Sequence, residues 1–159
     1  MDLVLGLDIG TTEVKALTWD AASRSHASAS RKVRLITPQA GWVEQDAREL
    51  WEAVVEVCSQ VAAASRVEGS RIRAVSFSTQ GGTTIPVDGQ CRPLHPAFSW
   101  MDQRATAEAA AVEARWGAEF IRGTTGWALG SVLPLQHIAW FRRHCPAVFA
   151  ATRHFLFVN

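Results

Sequence analysis

The sequence predicts an α/β fold, a mixed sheet with helices on its faces, and three observations carry that reading. Three short strand patterns follow one another from Leu3 onward, at residues 14–19 and at 26–36, with tight connections that imply an antiparallel meander. An amphipathic helix pattern then runs from Asp46 to about Ser65. A fourth strand pattern, 72–79, follows that helix and can therefore lie parallel to an earlier strand through a right-handed crossover.

Each element has a local reason. The first strand is apolar except for Asp8, and Gly10, Thr11 and Thr12 supply a small-residue turn into the second. Residues 20–23 read as the next turn. In the third strand Ala27, Ala29, Val33 and Leu35 alternate with mostly polar neighbours, the mark of a half-buried strand. Thr37 to Trp42 is a loop punctuated by Pro38 and Gly41. Asp46 followed by Glu49 predicts an N-cap with a capping-box partner. Leu50, Trp51, Val54, Val55, Cys58, Val61 and Ala62 form the expected buried stripe. After residues 72–79 come the glycine-rich 80–84, a short strand at 85–87, a hairpin signal at Asp88-Gly89 and an extended piece at 97–100.

Residues 105–116 are rich in Ala and Glu and predict a helix closed by Gly117. Residues 123–126 read as a loop. Residues 135–145 predict a helix with Ile138, Ala139, Trp140 and Phe141 turned inward and His137 on its surface flank. Pro146 begins the next segment, and 154–158 predicts a last strand. Trp51, Trp116 and Trp140 are expected in the core.

With 159 residues, 48% of them hydrophobic and 19% charged, the chain is long enough for one domain with a core and is not disordered. A formal net charge of +1 makes no case for nucleic-acid binding. The apolar runs are too short to span a bilayer, and no signal peptide is visible. Three widely spaced cysteines fit neither a disulfide framework nor zinc-ligand spacing, so cytoplasmic residence is the default expectation.

The first chemistry-bearing stretch is Asp8 to Thr12. A carboxylate inside an apolar strand is costly without a partner or a metal, and the backbone N–H groups and hydroxyls that follow it suit an anion. A carboxylate for a cation beside a nest for phosphate is a metal–nucleotide arrangement; the competing reading is a plain hairpin in which Asp8 caps the turn. The second stretch is Gln80, Gly81 and Gly82 at the carboxyl end of a strand, where α/β sheets gather ligands, against a simple glycine-rich turn.

Five pieces in order along the whole chain carry a family resemblance. Leu7-Asp8-Ile9-Gly10-Thr11-Thr12-Glu13-Val14-Lys15 resembles the phosphate motif opening the ATPase domains of the actin, Hsp70 and sugar kinase superfamily. The segments at 41–46 (Gly-Trp-Val-Glu-Gln-Asp), 79–82 (Thr-Gln-Gly-Gly), 100–104 (Trp-Met-Asp-Gln-Arg), and Thr125-Gly126 leading to Trp140 resemble the FGGY carbohydrate kinases, in overall character the xylulokinase-like branch.

The resemblance implies a ribonuclease H-like, actin-like ATPase fold with a mixed five-stranded sheet, its first three strands antiparallel. It implies phosphoryl transfer from Mg·ATP to a hydroxyl of a sugar or polyol, a xylulose-like ketose being favoured. Asp8 is expected to hold Mg²⁺; Gly10, Thr11, Thr12 and Lys15 are expected at the ATP phosphates. Gln80, Gly81, Gly82, Trp100 and Asp102 are expected at the sugar. Xylulokinases carry Gln-Met-His-Gly and glycerol kinases Gln-Arg-Glu-Thr where this chain has Gly81-Gly82, so the diagnostic side chains are replaced. Asp102 has two further readings, orienting Arg104 or capping a helix that starts near Gln103. His137 stands where many relatives have Lys.

The family's general-base aspartate falls beyond the point matching Asn159, so no catalytic residue is expected within this chain. The chain is expected to be the N-terminal portion, about the first third, of a kinase whose second ATPase domain is absent here, with a homodimer of the full-length form as one option. An alternative is a nucleotide-binding or interaction fragment without transferase activity. A metal nuclease of the ribonuclease H-like fold is disfavoured, because residues 14–19 and 72–79 carry no carboxylate.

Overall fold

The computed structural model describes residues 2–20, 26–65 and 72–159. The chain divides into two compact units, one made of residues 1–35, 46–80 and 159, the other of 36–45 and 81–158. The turn expected at 20–23 lies largely outside the described residues.

The first unit is a four-stranded mixed sheet in the order β3-β2-β1-β5. Strands β1 (Leu3–Ile9), β2 (Glu13–Trp19) and β3 (His26–Lys32) form the antiparallel meander, and β5 (Ile72–Thr79) lies parallel to β1. Among the described residues this sheet has four strands, not five. Leu3, Leu5, Leu7, Val14 and Ala16 are buried. Helix α1 (Ala47–Ala64) packs against β2 and β3.

Asp46 caps α1 as expected, its Oδ1 accepting from the Arg48 and Glu49 N–H groups, and the helix ends at Ser65. The capping box does not close, because the Glu49 carboxylate takes the Arg34 Nε–H at 3.0 Å. The buried stripe is Leu50, Ala53, Val57 and Val61, so Leu50 and Val61 are buried as expected, while Trp51 is 67% and Val55 46% exposed. Both stripes have helical spacing; small Ala53 lets the helix approach the sheet and leaves the larger side chains on the flank. Trp116 is likewise half-exposed, and only Trp140 of the three expected tryptophans is buried.

The second unit holds a four-stranded sheet, β4-β7-β6-β8, from β4 (Glu44–Gln45), β6 (Thr84–Val87), β7 (Ala97–Phe98) and β8 (His154–Phe157). Its helices are α2 (Thr106–Trp116), α3 (Ala118–Thr125), α4 (Pro134–His144) and α5 (Pro146–Ala151). Phe98, Ala105, Trp140 and Phe141 form the core, with Phe98 and Phe141 stacked at 4.3 Å between ring centroids.

Three expectations change here. The loop read at 123–126 is the last turn of α3, which buries Ile121 and stops at Gly126 with φ +75°. Helix α2 starts at Thr106, so Asp102 does not cap it. His137 is not on a surface flank: it is fully buried on α4 beside Gln136, Trp140 and Phe141, while Ile138 and Ala139 are only partly buried.

Candidate functional site

In the first unit the motif Asp8 to Lys15 is a β1–turn–β2 hairpin. The Gly10 N–H bonds the Glu13 carbonyl at 3.0 Å and closes the turn. A Cβ on Gly10 would sit 2.8 Å from that carbonyl oxygen, so the turn requires glycine there. Thr11 and Thr12 occupy the tip, and the Thr12 carbonyl accepts from Val33 N–H.

Asp8 lies opposite Lys15 on β2 and beside Ser78 on β5, and both Asp8 and Lys15 are exposed. Period-two alternation puts them on the sheet face with Gly6, Leu17, Ser28 and Ser30, which together line an open concavity of about 630 Å³. Lys15 pairs with Glu13 at 3.2 Å. A hydrogen bond from Ser30, together with Lys15, holds the Glu13 carboxyl below the usual carboxylate range. Asp8 therefore faces outward and is not the buried charge that its apolar flanks suggest.

Among the described residues no three His, Cys, Asp or Glu side chains gather into a metal cluster. One exposed carboxylate suits Mg²⁺, which keeps several waters and takes phosphate oxygens as partners; it does not suit an all-protein cation cage.

Gln80 ends the first unit, its N–H extending the β1–β5 ladder to the Ile9 carbonyl at 2.9 Å. Gly81 and Gly82 belong to the second unit, and they differ. Nothing lies within 4 Å of a Cβ at Gly81. Gly82 has φ +75°, and its Cβ would lie 3.2 Å from Trp100 Cβ and 3.7 Å from the Val132 carbonyl oxygen. Trp100 is 46% exposed.

Asp102 is fully buried, and both its oxygens are saturated. Oδ1 accepts from the Arg104 N–H and Nε–H, each at 2.9 Å; Oδ2 accepts from Val43 N–H and Arg104 Nη2, each at 2.7 Å. No lone pair is left for a sugar hydroxyl, so Asp102 orients Arg104. The Arg104 guanidinium also reaches Glu44 at 2.8 Å and lies 3.7 Å from the centroids of both Trp42 and Phe98. Sequence reasoning missed this aromatic slot. A second concavity, about 520 Å³ between α2, α3 and residues 128–131, holds none of the expected site residues.

The mixed sheet opened by an antiparallel meander is that of the actin-like ATPase fold, to which the similar solved sugar kinases belong. Residues 3–159 match the FGGY family of carbohydrate kinases, N-terminal domain, and the chain belongs to that family. It is 39% identical over 106 residues to the glycerol kinase of Acinetobacter baylyi, covering 66% of this chain and 21% of that protein. It is 32% identical over 142 residues to the glycerol kinase of Rhodospirillum centenum, covering 89% and 28%. The crystal structure of a xyloylose kinase from Brucella ovis is similar with a TM-score of 0.88 at 30% identity, over 98% of this chain and 32% of that one. The chain thus spans about a fifth to a third of the length of these relatives.

Proposed function

We propose that this chain is the N-terminal part of an enzyme that transfers a phosphoryl group from Mg·ATP to a hydroxyl of a small neutral sugar, a xylulose-like ketose in preference to glycerol. The observation that carries the reading is the family match across residues 3–159, and the turn after Asp8 is closed by the Gly10 N–H on the Glu13 carbonyl. In this reading Asp8 would hold Mg²⁺, which would supply charge neutralisation at the phosphates. The Gly10–Thr12 tip offers backbone N–H groups and hydroxyls to phosphate oxygens, and Lys15 moves from Glu13 to phosphate when nucleotide is bound.

At the acceptor, Trp100 offers a half-exposed apolar face for sugar C–H groups. The open space at Gly81 supports the preference for a ketose, since a missing side chain leaves room for a longer acceptor than a triol. Asp102 supports the Trp100 segment and does not touch sugar.

The test is an ADP-release assay over a panel of ketoses, aldoses and polyols, using a protein of the relatives' length that carries this chain. The expected result is turnover with a pentulose exceeding that with glycerol. Turnover with none of the panel overturns the kinase reading; glycerol as the preferred acceptor overturns the ketose preference alone.

A further inference from the structure

Three segments of the second unit converge at Gly82. A Cβ placed there would lie 3.2 Å from Trp100 Cβ and 3.7 Å from the Val132 carbonyl oxygen, just before α4. One buried side chain ties these segments together. His137, on the first turn of α4, has no solvent exposure, and its Nδ1 meets Thr84 Oγ1 at 3.0 Å. The same hydroxyl lies 3.4 Å from the Gly82 carbonyl oxygen. The ring also interacts with the backbone of Asp102, two residues after Trp100. Phe98 stands edge-on to it at 5.5 Å between centroids.

We propose that His137 is a positioning residue for the acceptor, setting the spacing between Gly82 and Trp100 through Thr84 on one side and the Asp102 backbone on the other. This role rests on the reading that puts Trp100 and the two glycines at the acceptor. The chemistry of the ring suits it. A neutral imidazole donates one hydrogen bond and accepts another from a rigid frame, so it can hold two partners at a fixed distance. Hydrogen bonds also weaken steeply off-axis, so the pair fixes direction as well as separation. An apolar side chain would fill the volume beside Phe98 and leave the two backbones free to slide.

Burial pushes the His137 imidazole down to about 4, against the opposing pull of Asp102 and with Arg104 adding to the fall. The ring is therefore neutral near pH 7 and brings no unpaired charge into the core. Both of its partners sit two residues from an acceptor position: Thr84 from Gly82, and Asp102 from Trp100. A shift at either partner is passed along one short stretch of backbone to the slot between them. Trp100, 46% exposed, is the side chain with room to respond.

The test compares Thr84→Val, which removes the hydroxyl at nearly the same shape, with Thr84→Ser, which restores it, using circular dichroism to confirm folding. In the 159-residue chain, nitrogen-15 relaxation of the indoles is expected to give a lower order parameter for Trp100 in Thr84→Val. Thr84→Ser should regain it, and the core residues Trp42 and Trp140 should not change. In a protein of the relatives' length, Thr84→Val is expected to raise the acceptor KM about tenfold, with the ATP KM within about twofold of the parent. An unchanged Trp100 order parameter, or an equal fall at Trp42 and Trp140, overturns the proposal. A lowered Trp100 order parameter with an unmoved acceptor KM overturns the acceptor reading of Trp100, and the positioning role with it. If Thr84→Val does not fold, His137→Gln takes its place in both measurements with the same outcomes deciding.

Discussion

Arg104 and Asp102 form a two-pronged ion pair, Nη2 to Oδ2 at 2.7 Å and Nε to Oδ1 at 2.9 Å, with neither side chain exposed to solvent. Glu44 adds a second carboxylate at 2.8 Å, and Trp42 and Phe98 enclose the guanidinium on both faces. Such a pair adds little net stability over an apolar replacement, but breaking it strands a buried charge. Asp102→Ala is therefore expected to destabilise the chain by about 3–5 kcal/mol, read from urea denaturation. Joint replacement, Asp102→Leu with Arg104→Met, should recover part of that loss. A single-site loss within experimental error would show that solvent reaches the pair.

His137 predicts a pH dependence whose sign follows from its burial. Its value falls from the usual 6.5 to about 4 on folding, so between those limits the unfolded chain binds more protons than the folded one. Stability therefore falls as pH drops from about 6.5 toward 4, by an amount on the order of 3 kcal/mol, and levels off below that for this group. Glu13 and Asp88, both held below the usual carboxylate range, lose their contributions at lower pH, so the windows separate. His137→Gln should flatten the pH 4–6.5 segment of a stability curve measured by thermal melting.

The two glycines at 81 and 82 should respond oppositely to alanine. Gly82→Ala forces a Cβ into a φ of +75° and to within 3.2 Å of Trp100 Cβ, and a loss of about 1–2 kcal/mol in denaturation is expected. Gly81→Ala meets open space and is expected within about 0.5 kcal/mol of the parent, or slightly more stable. In a protein of the relatives' length Gly81→Ala should change the ratio of kcat/KM between pentulose and glycerol. An unchanged ratio would remove Gly81 from the acceptor site.

Asp8→Ala should leave the fold intact, since the side chain is exposed on the sheet face. It is expected to abolish turnover in a protein of the relatives' length, measured by ADP release with Mg·ATP. Near-normal turnover would take Asp8 out of the metal site.

Removing the α1 cap offers a local control. Asp46→Ala deletes the acceptor for the Arg48 and Glu49 N–H groups and is expected to cost about 1 kcal/mol by thermal melting.

What was legible in the sequence was what local chemistry dictates. Alternation and tight turns give the meander, Asp46 gives a helix start, and the small residues after Asp8 give the turn that Gly10 closes against Glu13. The phase of α1 was not legible, because Trp51 and Val55 are as apolar as the residues that are buried; contact with β2 and β3 selected Ala53 and Val57 instead. Gly123, Thr124 and Thr125 are poor helix formers, yet burial of Ile121 and the left-handed stop at Gly126 hold them in α3. Arg104 could not be matched with Glu44, since 60 positions separate partners that only the folded sheet brings together. His137 looked like a surface residue because nothing local announces Thr84 as its partner. For the acceptor site, the sequence named Trp100 and Asp102 together; geometry separates them, leaving one half-exposed and the other saturated.

Strand β5 has a consequence for handling the molecule. It ends its sheet, six of its eight residues (Arg73 to Ser78) are exposed, Phe77 by 65%, and Arg73 is its one charged side chain. An exposed edge strand with one charge and no proline is a template on which further strands can pair. Self-association of this chain is expected to run through that edge, read from light scattering against concentration. Phe77→Lys places a second charge on the edge and is expected to lower that self-association.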